Sequence, residues 1–285
     1  PRCILSNASG WGHLGPDRFD GAMDTLAQAR GGFMSVTGEG EEGIPTMAGF
    51  PQADHVGALV SGYSIVLALL HRERTGEAQE VNTSLYGSQI NIQSFGITAA
   101  MWSGVTRGRI NHSQRAPTWQ HYQGSDGKWF MIGALPPDKW WHEFCEVMGS
   151  EELANDPYRT QAQRLERNAE VIAKMDAIFA TRTRDEWVQA FQARNLLVQP
   201  VADYLEIAAD PQAWANDYLV RVPDEEGREW PMVGSPVHLS KTPARITKMA
   251  PEFGQHTEEV LLESGFTWDE VEAFRQRGAF GRPPG

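Results

Sequence analysis

Asp54 closes the stretch Gly49-Phe50-Pro51-Gln52-Ala53-Asp54 and opens onto residues 56–71, a run without a single Asp, Glu, Lys or Arg. The apolar residues of that run fall around the whole helical circumference, which predicts a helix buried on every side rather than an amphipathic one. A carboxylate at the mouth of such a helix ordinarily acts as its N-cap, contributing about 0.5–2 kcal/mol. The same position favours the ionised form, through the helix dipole and the free N–H groups of the first turn. An ionised carboxylate is a nucleophile for an activated acyl carbon such as that of a thioester. In a dry site the backbone donors would also hold the developing oxyanion. Asp54 is therefore the candidate catalytic residue.

A second candidate is the loop Gly10-Trp11-Gly12-His13-Leu14-Gly15, which has the literal spacing of a dinucleotide fingerprint. That fingerprint needs a helix to open at once, so that its N-terminus faces a pyrophosphate. Pro16-Asp17-Arg18-Phe19-Asp20-Gly21 follows instead, and this is turn chemistry. No nicotinamide site is expected; Gly10 and Gly12 are read as a loop that lets a ligand approach the backbone.

The elements that must position these residues follow from patterning. Residues 3–5 read as an apolar strand and 22–29 as a short helix. Residues 31–38 read as a loop, and 39–43 as an acidic, solvated turn. The run at 56–71 ends in Arg72-Glu73-Arg74 and Thr75-Gly76, cations and a stop where a helix C-terminus wants them. A strand at 80–85 and a second apolar helix at 85–101 complete an α/β layer. Residues 103–117, with Arg107, Arg109 and Arg115, read as a solvated linker. Trp119–Tyr122 and Lys128–Ile132, flanking Asp126-Gly127, read as a hairpin. Helices are expected at 138–148, 167–180 and 184–194, then at 203–210, 211–218, 258–264 and 268–277, with strand and turn at 220–237 and a Gly- and Pro-rich tail.

Composition bounds the function. The chain has 285 residues, 41% hydrophobic and 22% charged, with a net charge of −12. That acidity argues against nonspecific nucleic-acid binding, which needs a basic surface. Two cysteines, Cys3 and Cys145, suit a reduced, cytoplasmic protein. The run at 56–70 is expected to be too short for a membrane span and contains Gly57, Ser61, Gly62 and Ser64. Neither cysteine has a Cys-His pattern nearby. The ten tryptophans are read first as packing residues.

In order and spacing, several stretches together resemble the class III coenzyme A transferases, the group of formyl-CoA transferase, the carnitine CoA-transferase and α-methylacyl-CoA racemase. They are residues 9–16, Gly31-Gly32-Phe33-Met34-Ser35-Val36-Thr37-Gly38, Asp54, and Ala68-Leu69-Leu70-His71-Arg72-Glu73-Arg74-Thr75-Gly76-Glu77-Ala78-Gln79. Ser125-Asp126-Gly127-Lys128-Trp129, Ala209-Asp210-Pro211-Gln212-Ala213 and Gly254-Gln255-His256-Thr257-Glu258-Glu259-Val260-Leu261 also fit. The resemblance implies an acyl-CoA:carboxylate CoA-transferase in which Asp54 passes through an aspartyl anhydride and an aspartyl-CoA thioester. It implies no metal or redox cofactor, with the coenzyme A thioester entering as substrate and a carboxylic acid as acceptor.

The fold so implied is α/β: a partial Rossmann-like large domain plus a small α+β domain. The expected boundaries are 1–102 for the second half of the large domain, 103–117 for a linker, 118–215 for the small domain and 216–285 for the return. Two such chains would form an interlocked homodimer, or a hetero-oligomer with an N-terminal segment or partner chain. On this template the first Rossmann units, at about 30 residues or more each, precede Pro1. Candidate substrate contacts are Gly10, Gly12, Met23, Asp24, Gly31, Gly32, His55, Trp119, His121 and Tyr122. The racemases carry a catalytic His where this chain has Met23, so epimerisation lacks one base unless His13 or His55 replaces it. Two alternatives stand beside the transferase: an α-methylacyl-CoA racemase, and a non-catalytic or partial subunit.

Overall fold

Around Asp54 the chain builds a parallel strand pair flanked by helices. The structure, a computed structural model, describes residues 2–281. β1 (Leu5–Ser9) runs alongside β2 (Glu80–Ser84), in register from Leu5↔Glu80 to Ser9↔Ser84. Parallel strands need a long crossover, and α1 (Asp24–Arg30), α2 (Phe33–Val36) and α3 (Gln52–Thr75) supply it. The α/β layer is thus present, with two strands of this sheet among the described residues and no larger Rossmann-like order. The first strand starts later than residues 3–5 suggested. It is exposed along most of its length, so it is not a core strand in this chain.

α3 corrects the expectation of burial. Its limits are legible: Pro51 precedes it, and Gly76 ends it at φ +79° with its N–H donated to Arg72 O at 2.8 Å. Only Ala53, Gly57 and Ala68 are buried, whereas Leu59 is 71% exposed, and Tyr63, Val66, Leu67 and Leu70 are open as well. Small residues do the packing. A Cβ on Gly57 would lie 2.8 Å from Leu85 Cδ2, and the Ser61 and Thr83 hydroxyls meet at 2.7 Å. The strand pair and α4 approach this small-residue face, and the large aliphatic side chains point elsewhere. At 24 residues the helix is also long and apolar enough to cross a membrane by length and composition, so the run is not excluded as a span by being short.

The expected second helix is two helices, α4 (Leu85–Ile92) and α5 (Ser94–Ser103). The break falls at Gln93, whose Nε2 donates to both Gly31 O and Gln89 O at 2.9 Å. In the stretch after α5, residues 103–107 are exposed, as expected of a solvated segment, whereas residues 109–115 are pinned. Arg109 donates to Gly40 O at 3.0 Å, Glu41 O at 2.6 Å and Gly43 O at 2.8 Å, holding the acidic turn closed. His112 bonds Asp176 through Nε2 at 3.0 Å, and Asn168 donates to Ser113 O and Arg115 O at 2.8 Å.

The next segment holds the core. β3 (Trp119–Gln123), β4 (Trp129–Gly133) and β5 (Val198–Pro200) form an antiparallel sheet in that order. Gln120, Tyr122, Phe130 and Ile132 face inward, alternating with Trp119, His121, Trp129 and Met131, as a half-buried sheet requires. α6 (Pro137–Met148), α7 (Glu151–Ala154), α8 (Gln161–Glu166), α9 (Asn168–Phe179) and α10 (Arg184–Gln192) cover the inner face. Trp141, Phe144, Phe179, Trp187 and Phe191 are sealed there. Arg164 is sealed with them, stacked 4.1 Å from the Trp141 ring and bonded to Asp138 at 2.6 Å.

The chain divides into two compact units after Val201. The second contains α11 (Tyr204–Ala209), α12 (Pro211–Ala215), the antiparallel pair β6 (Leu219–Pro223) and β7 (Glu229–Val233), α13 (Thr257–Glu263) and α14 (Trp268–Gln276). α11 and α12 therefore sit in this unit, not with residues 118–201. Asp224 organises its hairpin turn, accepting from Trp230 Nε1, Arg228 N and Arg228 Nε at 2.8–2.9 Å. Of the Gly- and Pro-rich tail, residues 282–285 lie outside the described residues.

Candidate active site

Asp54 is the third residue of α3, not its cap; Pro51 holds the cap position without a side-chain bond. The capping comes from another helix. Asp24, in the first turn of α1, accepts the Ala53 N–H at 2.7 Å and the Asp54 N–H at 3.2 Å through Oδ1. Its Oδ2 accepts from Gln28 Nε2 at 2.7 Å, and Gln28 Oε1 accepts from Ala48 N at 2.9 Å. Two of the free N–H groups expected to hold an oxyanion are thus occupied by Asp24. Asp54 is exposed, as is His55, so the described residues do not enclose the dry site that the sequence suggested.

The candidate glycines have packing reasons for being glycine. A Cβ on Gly10 would meet Ala22 Cβ at 2.1 Å, and Tyr86 N donates to Gly10 O at 3.0 Å. Beside them Trp11 and Tyr86 meet edge to face at 6.0 Å, and the Arg30 guanidinium lies over both rings while pairing with Asp17. Gly12 sits at φ +115°, a conformation that favours glycine. A Cβ on Gly31 would lie 2.5 Å from Gln89 Cβ, and Gly32 holds the N-cap position before α2 at φ +87°. Met23 is 70% exposed and offers no proton to exchange.

The hairpin candidates separate. Tyr122 is fully buried, donating to Pro117 O at 2.8 Å and accepting from Gln120 Nε2 at 2.9 Å. Its place is in the core rather than against a ligand, and burial raises its phenol pKa. Trp119 and His121 stand on the outer face, with the His121 ring 5.1 Å from Trp129 and 5.6 Å from His112. Burial, then the nearby His112, lowers the pKa of His121. Among the described residues no hydrogen bond or ring contact joins these three to Asp54. Cys145 is buried and its thiol is pushed up to about 12 by burial, whereas Cys3 is exposed. Among the described residues no cluster of three His, Cys, Asp or Glu could hold a metal.

Sequence reasoning missed two features. The Arg109 clamp had only a weak signal, an arginine following an acidic Gly-rich turn by more than 60 residues. A cavity of about 430 Å³ between α2, α5 and the pinned stretch has Arg107 and Arg115 in its lining. It assembles residues 32–36, 92–100 and 106–115, which only the fold brings together.

A family model described as CoA-transferase family III matches residues 1–257. An acyl-CoA transferase of Fusarium pseudograminearum is 29% identical over 98% of this chain and 61% of its own length. The (R)-2-hydroxy-4-methylpentanoate CoA-transferase of Clostridioides difficile is 28% identical over 96% of this chain and 69% of its own length. A crystal structure of a CAIB/BAIF family protein from Brucella suis superposes with a TM-score of 0.81 at 25% identity, covering 92% of this chain and 68% of that one. The chain thus spans about two thirds of the length of the relatives it matches.

Proposed function

The chain belongs to CoA-transferase family III, and we propose that it moves coenzyme A from an acyl-CoA to a free carboxylic acid, with Asp54 as the nucleophile. The Asp54 carboxylate attacks the thioester carbonyl; the C–S bond breaks and CoA leaves as the thiolate, giving an aspartyl anhydride. The thiolate attacks the aspartyl carbonyl, releasing the donor acid and giving aspartyl-CoA. An acceptor carboxylate then attacks that thioester, forming a second anhydride and freeing the thiolate. Attack of the thiolate on the acceptor's acyl carbon yields the new acyl-CoA and restores Asp54. No net proton or electron is consumed, in keeping with a reaction that needs no redox cofactor.

The observation that carries this reading is the position of Asp54: an exposed carboxylate in the first turn of a long helix, its own amide fixed by a second side chain. Hydroxylamine with an acyl-CoA is expected to leave a hydroxamate on Asp54, and Asp54→Ala is expected to abolish turnover. A variant that keeps full activity refutes the assignment. Racemisation is disfavoured by Met23, which cannot exchange a proton at the position where the racemases use His. Deuterium entering the α carbon without an acceptor acid would reverse that judgement.

The open face of α3, with Leu59, Val66 and Leu67, supports a further part of the reading: more protein covers it. A second copy in an interlocked dimer, or a partner segment in a hetero-oligomer, supplies that cover, and a silent subunit would be one such assembly. Native mass spectrometry separates these cases. The location proposed is the cytoplasm.

A further inference from the structure

A relay of hydrogen bonds ties the loop before α3 to the first turn of α3, with Asp24 at its centre. Ala48 N donates to Gln28 Oε1, Gln28 Nε2 donates to Asp24 Oδ2, and Asp24 Oδ1 accepts from both Ala53 N and Asp54 N. Both ends of the relay are backbone N–H groups, which only donate. The amide of Gln28 has one donor end and one acceptor end. The remaining member must accept on both oxygens, which a carboxylate does and an amide cannot. Gln28 and Ala53 are fully buried, so a reversed link there has no water to fall back on.

We propose that Asp24 is the positioning residue for Asp54: through this relay it fixes the backbone of residue 54, and hence the direction in which that carboxylate leaves the helix, without touching substrate itself. The inference rests on the reading of Asp54 as the nucleophile. Its physical basis is that small misplacements of a reacting group are costly, a shift of about 1 Å lowering rates by as much as a hundredfold.

The polarity of the relay supplies the test. In Asp24→Asn the new amide presents N–H groups to Gln28 Nε2, donor against donor, or else to the α3 amides. Adding Gln28→Glu reverses the middle link and gives every donor an acceptor again, with the negative charge moved one helical turn along α1. The two variants, wild type and Asp54→Ala are compared by amide exchange across residues 48–55 and by turnover. The donor is whichever of formyl-, acetyl-, succinyl- and 2-hydroxyacyl-CoA the wild type uses fastest.

The expected result is faster exchange and a kcat lowered about tenfold to a hundredfold in Asp24→Asn, with KM little changed. The double variant returns exchange to the wild-type rate and kcat to within about threefold of it, a margin small against that loss. Restored exchange with kcat still low would give the Asp24 carboxylate a direct part in the chemistry and overturn the inference. Unrestored exchange in the double variant overturns the relay whatever the turnover. Full activity in Asp54→Ala would instead sink the nucleophile reading, and so is told apart from a failure of the relay.

Discussion

Phe144, Phe179, Trp187 and Phe191 lie in one sealed cluster between residues 122 and 198, whereas Leu59, Val66, Phe95 and Trp102, all before residue 103, lie open. The two regions have similar shares of large apolar residues and use them oppositely. In the later region the helices are short, and Ser150, Thr160 and Thr183 cap α7, α8 and α10; Thr183 and Glu186 form a reciprocal capping box at the start of α10. Each turns one face inward and the core closes within about 80 residues. In the earlier region α3 and α5 are apolar all round, and α3 meets α4 at Gly57 and β2 at Ser61. A helix of that kind has more apolar surface than its own region can cover. The candidate nucleophile stands on the region without a closed core, and the sealed region carries none of the proposed chemistry.

The contrast breaks most readily at a single aromatic. Phe179 touches Tyr122, Phe130, Trp187 and Phe191 at ring-centroid distances of 4.8–6.0 Å. Phe179→Ala is expected to cost about 3–5 kcal/mol, read by denaturant unfolding of the tryptophan fluorescence. Val66→Ala, 62% exposed on α3, should cost less than about 0.5 kcal/mol in the isolated chain. Equal losses would erase the distinction. A second comparison turns on assembly: Leu67→Glu is expected to lower the native mass of the assembled protein while leaving the residue 122–198 core folded. An unchanged mass would mean that nothing in the assembly covers this face.

Smaller effects sharpen the picture. The pKa of His121 in the folded protein lies below its ordinary value, so below about pH 6.5 the unfolded chain binds the proton more readily. Stability should therefore fall as pH drops through and below that value, and His121→Gln should flatten the fall, as thermal melts between pH 7 and 5 would show. A thermal midpoint that rises on acidification contradicts the sign. Smallest of all, iodoacetamide at neutral pH should label exposed Cys3 and spare Cys145, whose thiol is buried and protonated. Labelling of Cys145 in the native protein would mean that its core opens.

Element boundaries were legible in the residues; the contrast in burial was not. Gly76 after two arginines marked the end of α3 and Asp126-Gly127 marked the hairpin; the inward face of β3 was not read, and Tyr122 was grouped with Trp119 and His121 although it turns into the core. Illegible features were those made by distant partners. Nothing in residues 24–28 announces that their side chains will cap a helix starting at Gln52. Nothing in Gln93 announces that Gly31 will draw its amide and break a helix there. The uniform apolar character of α3 was visible, but hydropathy alone does not say whether cover comes from the same chain. Asp54 was identifiable by its place in a family pattern; the partner that holds its backbone was not.

The most direct test is chemical. The protein is incubated with an acyl-CoA and hydroxylamine, digested, and the peptide containing residues 52–72 is weighed and sequenced by mass spectrometry. The account predicts a 15-dalton gain, from carboxyl to hydroxamate, located on Asp54 and dependent on the acyl-CoA. Turnover by the same preparation with no such modification on Asp54, or with the modification on another carboxylate, would contradict it.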